Sequence, residues 1–130
     1  MTMAAAHPSR LQLYGTGSAS GTAVAQVTIP SAGKLVGVYA ELLVTSITAG
    51  AVVRIEITKV NNNQIATNGA LDPILEIGQA GNFVTSGLAQ NGVNQFFPLN
   101  VSVRQGEIIY LHATVGGTAT YYANFILMYG

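Results

Sequence analysis

The sequence predicts an all-β domain: an antiparallel two-sheet β-sandwich, jelly-roll-like, with about eight strands and a flexible N-terminal arm. Short runs of alternating apolar and polar residues recur along the chain, and alternation places successive side chains on opposite faces of a strand. Turn signals rich in glycine, proline and asparagine separate these runs. No stretch shows a sustained helical period.

The longest pattern is Lys34–Lys59, which we predict to be two long strands folded into a hairpin at Ala49-Gly50. Its second half alternates cleanly, with a core face made of Val53, Ile55 and Ile57.

The first half of this stretch is apolar on both faces, and the sequence leaves open which face is inward. A strand of this kind has to be covered on both sides, by its own fold or by another chain. One face carries Val36, Val38, Ala40, Leu42 and Val44, and the other carries Leu35, Tyr39 and Leu43.

The remaining strands are expected on both sides of this stretch. One possible short strand, Arg10–Tyr14, lies in an arm over residues 1–21, and the others lie in a single domain over residues 22–130. Polar loops are expected at 61–70 and 87–95. The predicted strands are Arg10–Tyr14, Thr22–Ile29, Ile74–Ile77, Phe83–Ser86, Phe96–Val103, Glu107–Val115 and Thr120–Tyr129. Pro98 marks the beginning of its strand or an edge, and a tight turn is predicted at Gln105-Gly106.

The composition is unusual in its scarcity of charge. Five basic and five acidic residues make up 8% of the chain and give no net charge, against about 25% charged residues in an average soluble domain. Without clustered lysine and arginine there is no footprint for nucleic acid. Because interface cores are depleted of charge, we expect much of the outer surface to be buried between subunits.

Neither a disulfide framework nor a targeting segment is predicted. The chain contains no cysteine. Its start, Met1–Ala6, lacks a basic region and a long apolar run, so we expect no secretory signal. No run reaches the roughly 18 apolar residues of a membrane span.

The titratable residues form no local catalytic, cofactor-binding or metal-binding pattern. Glu56 shares a strand face with Arg54, which indicates an ion pair. His112 is expected to be a hydrogen-bonded strand histidine, and with His7 it makes at most a weak metal site. We therefore predict a protein that is not an enzyme and holds neither cofactor nor metal.

Two apolar strand faces are candidates for contact between subunits. One is led by Leu35, Tyr39 and Leu43, and the other by Tyr122, Ile126 and Met128.

Aromatic residues offer a different site, a stacking platform for sugars. Such a platform would belong to a glycan- or receptor-binding module, with the loops at 61–70 and 87–95 as its recognition surface. Tyr121 and Tyr122 point to opposite faces, so only one of them serves a given surface. The candidates are Tyr39, Phe96, Phe97, Tyr121 and Tyr122.

The strand patterns VRIEITK at 53–59 and VSVRQGEIIYLHA at 101–113, with the low charge and the absence of cysteine, resemble small virion proteins of tailed bacteriophages. The resemblance is greatest to β-sandwich decoration or cement proteins, and similar patterns occur in carbohydrate-binding modules and tumour-necrosis-factor-like trimers. It implies a non-enzymatic structural role on the capsid surface, as a homo-oligomer with a trimer favoured, bound to the major capsid protein or another virion protein. The arm would contact the capsid through His7, Pro8, Arg10, Leu11, Leu13 and Tyr14.

Overall fold

The computed structural model describes residues 9–46, 51–59, 74–77 and 91–130. These residues form eight β-strands and no helix, which confirms the predicted fold class. The strand predicted at Phe83–Ser86 lies outside the described residues. In chain order the strands are β1 (Ser9–Gly17), β2 (Gly21–Thr28), β3 (Gly33–Thr45), β4 (Val52–Thr58), β5 (Leu75–Ile77), β6 (Asn91–Val103), β7 (Ile108–Gly116) and β8 (Thr120–Tyr129).

The strands form two four-stranded antiparallel sheets. Sheet A has the order β1-β8-β3-β6, and sheet B has the order β2-β7-β4-β5. The first strand pairs with the last, the second with the seventh, the third with the sixth and the fourth with the fifth. These nested pairs alternate between the sheets, as in one long hairpin that has been rolled up. This is the jelly-roll arrangement that the sequence predicted.

The predicted hairpin over Lys34–Lys59 is wrong. Its first half, β3, lies in sheet A between β8 and β6, whereas its second half, β4, lies in sheet B between β7 and β5. The chain therefore crosses from one sheet to the other between Thr45 and Val52. Alternation identifies the two faces of a strand, but it does not say which strand is its neighbour.

The two faces of β3 also differ from the predicted ones, because the strand changes register between Leu35 and Gly37 against both neighbours. An extra residue at such a bulge shifts the alternation by one. Leu35 is consequently fully buried in the core, whereas Val36 is 45% exposed. From Val38 onward the core face is the one that carries Val38, Ala40, Leu42 and Val44.

β6 begins earlier than predicted. Asn91–Gln95, expected in a polar loop, belongs to β6 and pairs with β3 up to Val44. Pro98 was expected at a strand start or on an edge, and it lies on β6, which is an edge of sheet A. An edge strand tolerates proline because one side of it makes no ladder hydrogen bonds.

The core lies between the sheets and contains the inward residues of both. Burying these side chains supplies the main favourable term in folding. The tight turn at Gln105-Gly106 is confirmed, and Gly106 has a φ of +86°, a conformation that favours glycine. The largest fully buried side chains are those of Leu13, Ile29, Leu35, Ile55, Ile57, Ile109, Leu111, Tyr121, Phe125 and Leu127.

Candidate functional site

The outer face of sheet A, turned away from sheet B, carries the exposed apolar surface of the described residues. All six of their large apolar side chains that are at least 38% exposed lie on it. We call this surface the aromatic face. It consists of Tyr14, Val36, Tyr39, Leu43, Phe96 and Tyr122, with the partly buried Ile126 and Met128 between them.

Strand pairing makes the aromatic face continuous across the sheet. Leu43 of β3 is the direct partner of Tyr122 of β8, and Tyr39 is the direct partner of Ile126. On its other side, Tyr39 is paired with Phe96 of β6, and the two ring centroids are 4.8 Å apart with planes tilted by 53°. Tilted pairs at this distance are favourable aromatic contacts.

Gly37 provides the space that Phe96 occupies. A Cβ atom at Gly37 would overlap the ring of Phe96, so the ring lies directly over the glycine. An aromatic side chain that covers a glycine on the neighbouring strand protects backbone that is otherwise open to water. The absence of a side chain at Gly37 thus determines where Phe96 lies.

A polar row crosses the sheet within this apolar surface. Tyr14 of β1 is paired with Asn124 of β8, Asn124 with Glu41 of β3, and Glu41 with Asn94 of β6. Gln12 donates a hydrogen bond of 2.7 Å from its carboxamide to the side-chain oxygen of Asn124. This bond fixes the Asn124 oxygen and leaves the NH2 group of Asn124 as a donor on the outer face.

The polar row is the floor of an open cleft of about 530 Å³. A carboxylate, two carboxamides and a phenol converge in it between apolar walls. Such a site suits a ligand that has both an apolar body and a polar or cationic group. The cleft is lined by Tyr14, Glu41, Leu42, Leu43, Asn94, Tyr122 and Asn124.

The outer face of sheet B is different, because its central polar side chains are covered. Glu56 and His112 are fully buried. The Nε2 atom of His112 lies 3.2 Å from the Thr114 hydroxyl and 3.6 Å from a carboxylate oxygen of Glu56. Arg54 lies 3.5 Å from Glu56, so the predicted pair is present, but its carboxylate is buried.

Within the described ranges, the contacts of this buried cluster do not form a catalytic or metal-binding constellation. The Thr114 hydroxyl and Glu56 both approach the same histidine nitrogen, whereas a relay needs its base and its orienting carboxylate on opposite nitrogens. Across the part of the chain that the structure describes, no group of three or more histidine, aspartate or glutamate residues is arranged to hold a metal ion. His7 lies outside that part.

The structure brings five of the six predicted subunit-contact residues together. Tyr39 and Leu43 of one predicted set, and Tyr122, Ile126 and Met128 of the other, share the aromatic face because β3 and β8 are neighbours. The sixth, Leu35, lies in the core.

The predicted sugar platform is divided between the two sides of the sandwich. Tyr121 is only 1% exposed, whereas Tyr122 is 43% exposed, so these neighbours do point to opposite faces. Phe97 packs against the core, whereas Tyr39 and Phe96 lie on the aromatic face.

Part of the predicted arm is a strand of sheet A. Ser9–Gly17 pairs residue by residue with Tyr129–Tyr121 of β8. Leu13 is fully buried and Leu11 packs against the core, whereas Arg10 and Tyr14 are exposed on the outer face. His7 and Pro8 lie outside the described residues.

Residues of the cleft that the sequence did not single out are Glu41, Asn94 and Asn124. Each lies in a strand whose alternation is visible, but only the pairing of β8 and β6 with β3 brings the three together.

Among the described residues there is no helix long and apolar enough to cross a membrane.

No family model matches the chain, and no curated protein matches it. Solved structures do. A chain of the T=1 particles derived from infectious bursal virus has a TM-score of 0.53 and 14% identity, covering 93% of this chain and 31% of that one. A chain of the T13 particle of infectious bursal disease virus has a TM-score of 0.51 and 17% identity, covering 94% and 31%.

A bacterial protein is similar to the same degree. Dimeric latent PorU from Porphyromonas gingivalis has a TM-score of 0.50 and 13% identity, covering 95% of this chain and 12% of PorU. The chain thus spans about a third or less of each of these proteins. At such identities the similarity shows the fold alone, and one fold serves many functions. The chain has a jelly-roll fold that is found both in viral particles and in a bacterial protein.

Proposed function

We propose that this chain is a non-enzymatic structural protein of a virion, which assembles by burying the aromatic face against other subunits. The observation that carries the proposal is that, among the described residues, all six exposed large apolar side chains lie on the outer face of one sheet. Single exposed apolar residues are normal on a monomer, but a group of them on one face marks a binding surface. The similarity in fold to chains of viral particles supports a virion as the place of that assembly.

The scarcity of charge supports the same proposal. A near-neutral surface with few charged residues favours association, whereas net charge keeps subunits apart. Aromatic side chains supply large contact area at a low cost in conformational entropy, and tyrosine is enriched among the residues that dominate binding energy. Tyr14, Tyr39 and Tyr122 meet that description.

A more specific form of the proposal is a capsid decoration or cement protein of a tailed bacteriophage. It would sit on the capsid surface as a closed homo-oligomer, for which the resemblance to decoration proteins favours a trimer, and bind the major capsid protein or another virion protein. Residues 1–8, which precede β1 in the chain, are the proposed capsid contacts. Arg10 and Tyr14, also expected there from the sequence, lie exposed on the outer face of sheet A and are assigned to contact between subunits instead.

Assembly is tested with the double variant Leu43→Ser/Tyr122→Ser. Both side chains are exposed, so we expect the variant to fold and to lose self-association in light scattering. The control is Thr28→Ser, an exposed position on sheet B that should leave self-association unchanged. A double variant that associates as the natural chain does would overturn the assembly role of the face.

Capsid decoration is tested by co-sedimentation with empty phage shells. Removing residues 2–8 should weaken binding to the shells while the oligomer persists, because β1 is left intact. A longer deletion through residue 20 would remove β1 and expose the neighbouring β8 edge, so it would not test the arm. Equal binding by the chain without residues 2–8 would refute a capsid role for that segment.

The cleft supports a second candidate function, the binding of a glycan. Carboxamide and carboxylate side chains bind sugar hydroxyls, and Tyr122 offers an aromatic surface beside them. The variant Asn124→Ala should then lose glycan binding while its strand content, measured by circular dichroism, is unchanged. A glycan array without a signal above background would count against this function.

A further inference from the structure

We propose that a second copy of this chain docks on the aromatic face with its strands reversed, so that Lys34 of each copy enters the cleft around Glu41 of the other. The inference rests on the proposed function, because it names the partner and the symmetry of the same surface. It follows from where the unpaired charges lie.

Three charged side chains have no partner among the residues that the structure describes. Arg10, Lys34 and Glu41 form no ion pair or side-chain hydrogen bond with any part of the described chain. All three are exposed, and the strand alternation places all three on the outer face of sheet A. The other charged side chains in the described ranges lie in two clusters away from this face, Arg54 with Glu56 and Glu76, and Lys59 with Glu107 beside Arg104.

The three charges are separated by sign along the strands. Glu41 is level with Asn124 of β8. Arg10 is level with Met128, four residues further along β8. Lys34 exchanges two backbone hydrogen bonds of 3.1 Å with Gly130, six residues from Asn124. At a rise of about 3.3 Å per residue, the basic end lies roughly 13–20 Å from the acidic one.

This polarity selects the relative direction of two copies that stack face to face. With strands in the same direction, the acidic end of each copy would lie level with the acidic end of the other, and like charges across an interface are unfavourable. With strands reversed, the acidic end of each copy faces the basic end of the other. A two-fold axis in the plane of the interface, running across the strands, produces the reversed pair and makes both contacts twice.

The position of this axis follows from the pairing of Lys34 with Glu41. The two residues lie on the same strand, β3, and a two-fold axis across the strands brings β3 over β3 of the partner subunit. Measured along β8, Lys34 is level with Gly130 and Glu41 with Asn124. The axis that places Lys34 of one copy over Glu41 of the other therefore crosses β8 midway between these two levels, at Leu127.

A second contact independently gives nearly the same axis. Under the same operation, β1 lies over β1 of the partner subunit. Arg10 is level with Met128 and Tyr14 with Asn124, so the axis that brings Arg10 over Tyr14 crosses β8 at Ile126. The two estimates differ by one residue. A single axis thus places Lys34 at Glu41 and Arg10 on the exposed ring of Tyr14.

The lining of the cleft suits the lysine side chain that this arrangement places in it. An ammonium on an alkyl stem packs its carbons on apolar walls and keeps its charge at polar groups. Here Leu43 and Tyr122 supply the walls, and Glu41 supplies a carboxylate for a charge-assisted hydrogen bond. A guanidinium over the Tyr14 ring gains a cation–π contact at the same time.

A charge-swap series tests the pairing. Glu41→Lys and Lys34→Glu should each weaken the dimer by about tenfold or more in sedimentation velocity, since each places like charges together at two equivalent sites. The double variant Glu41→Lys/Lys34→Glu restores opposite charges at both sites and should recover most of that loss. A double variant no tighter than the singles would overturn the pairing.

Cross-linking tests the axis, and the absence of cysteine from the natural chain makes it direct. Stacked sheets lie about 10 Å apart, so a residue on the axis is that far from its own copy. Gln12→Cys, an exposed polar position of β1 that is level with Ile126 and therefore lies at the axis, should cross-link to itself with a thiol-specific linker about 10 Å long. Ser102→Cys, exposed and level with Lys34, should not cross-link to itself. The reverse result would overturn the axis.

These outcomes separate the inference from the proposed function. If the natural chain self-associates through the aromatic face but the charge swaps have no effect, the reversed pair is wrong and the assembly role stands. A stable trimer without a two-fold contact would likewise show that the reversed pair is wrong and leave the assembly role in place. If the natural chain remains a monomer and binds a glycan in the cleft, both are wrong.

Discussion

Leu43 and Tyr122 are direct cross-strand partners on β3 and β8, and each is exposed on the outer face of sheet A, by 38% and 43%. They belong to two sets of apolar residues that the sequence offered as separate candidates for contact between subunits. The pairing of β3 with β8 makes the two sets one surface. The proposed assembly depends on this surface, so the variants below either change it or leave it intact.

Two neighbouring tyrosines give a matched test of surface against core. Tyr122→Ala should change the free energy of unfolding by no more than about 0.5 kcal/mol, because the side chain is exposed. It should weaken self-association about tenfold or more, as loss of an interface tyrosine does. Tyr121→Ala should instead cost about 3–5 kcal/mol of stability, since Tyr121 fills the core.

Urea denaturation and light scattering measure the two effects of this pair. The result that contradicts the account is a Tyr122→Ala protein that is destabilised as much as Tyr121→Ala and still associates normally.

Gly37→Ala tests how the aromatic face is shaped. The added methyl overlaps the Phe96 ring, so we expect the ring to leave its position over the glycine and to lose its contact with Tyr39. Because Phe96 is exposed, the cost to stability should be about 1 kcal/mol, and the main effect should be weaker association.

The control for Gly37→Ala is the same substitution in a Phe96→Ala background. There the methyl meets no ring, and it should produce no further loss of association. A loss of equal size in both backgrounds would place the effect of Gly37 elsewhere.

The buried acid of sheet B should be important for stability and irrelevant to assembly. Glu56→Ala removes the partner of Arg54 and His112 in a buried site, so we expect a loss of about 3–5 kcal/mol. Glu76→Ala breaks a longer contact to the same Arg54 from a side chain that is 47% exposed, and should cost less than about 1 kcal/mol. Equal losses for the two variants in chemical denaturation would contradict the burial of Glu56.

The Glu107 carboxylate should stabilise the fold only when it is ionised. A hydrogen bond from the Arg104 backbone N–H, 2.7 Å long, lowers the pKa of Glu107 below its ordinary value of 4.5, and Lys59 at 3.2 Å acts in the same direction. A lowered folded-state pKa gives stability that is fully present above pH 4.5 and is lost as the pH falls through the folded-state value. Glu107→Gln should therefore be less stable than the natural chain at pH 7.

The difference between Glu107→Gln and the natural chain should shrink as the pH falls below 4.5. Urea titrations at pH 7 and at pH 3 check this. A difference that is the same at both pH values would mean that the ionised carboxylate is not its cause.

Much of the fold could be predicted from alternation and turn signals, because both are local. They located most of the strands, the buried face of β4 and the turn at Gln105-Gly106. Alternation also placed Tyr121 and Tyr122 on opposite faces.

What alternation could not supply is the identity of neighbouring strands. The strands β3 and β4 follow each other closely, which favours a hairpin, yet the jelly roll places them in different sheets. The error at Leu35 has a second cause, a bulge that shifts the face pattern by one residue. The prediction of which residues share a face of β3 was therefore wrong before the bulge, at Leu35, and correct after it, from Val38 onward.

The candidate site could not be predicted for the same reason, because it depends on which strands are neighbours. More than fifty residues of sequence separate Glu41 from Asn94, and Asn124 lies further along the chain. Only the pairing of three strands brings these residues into one cleft. The three unpaired charges became recognisable as a group once the other ion pairs were known. No local motif contains that information.

The mass of the purified protein in solution, by light scattering after size exclusion, shows whether the aromatic face is an interface. We expect a stable oligomer, with a mass of two or more times 13.5 kDa, that dissociates in the Leu43→Ser/Tyr122→Ser variant. A soluble 13.5 kDa monomer at high concentration would contradict this expectation, because the aromatic face would then be stable in water without a second copy.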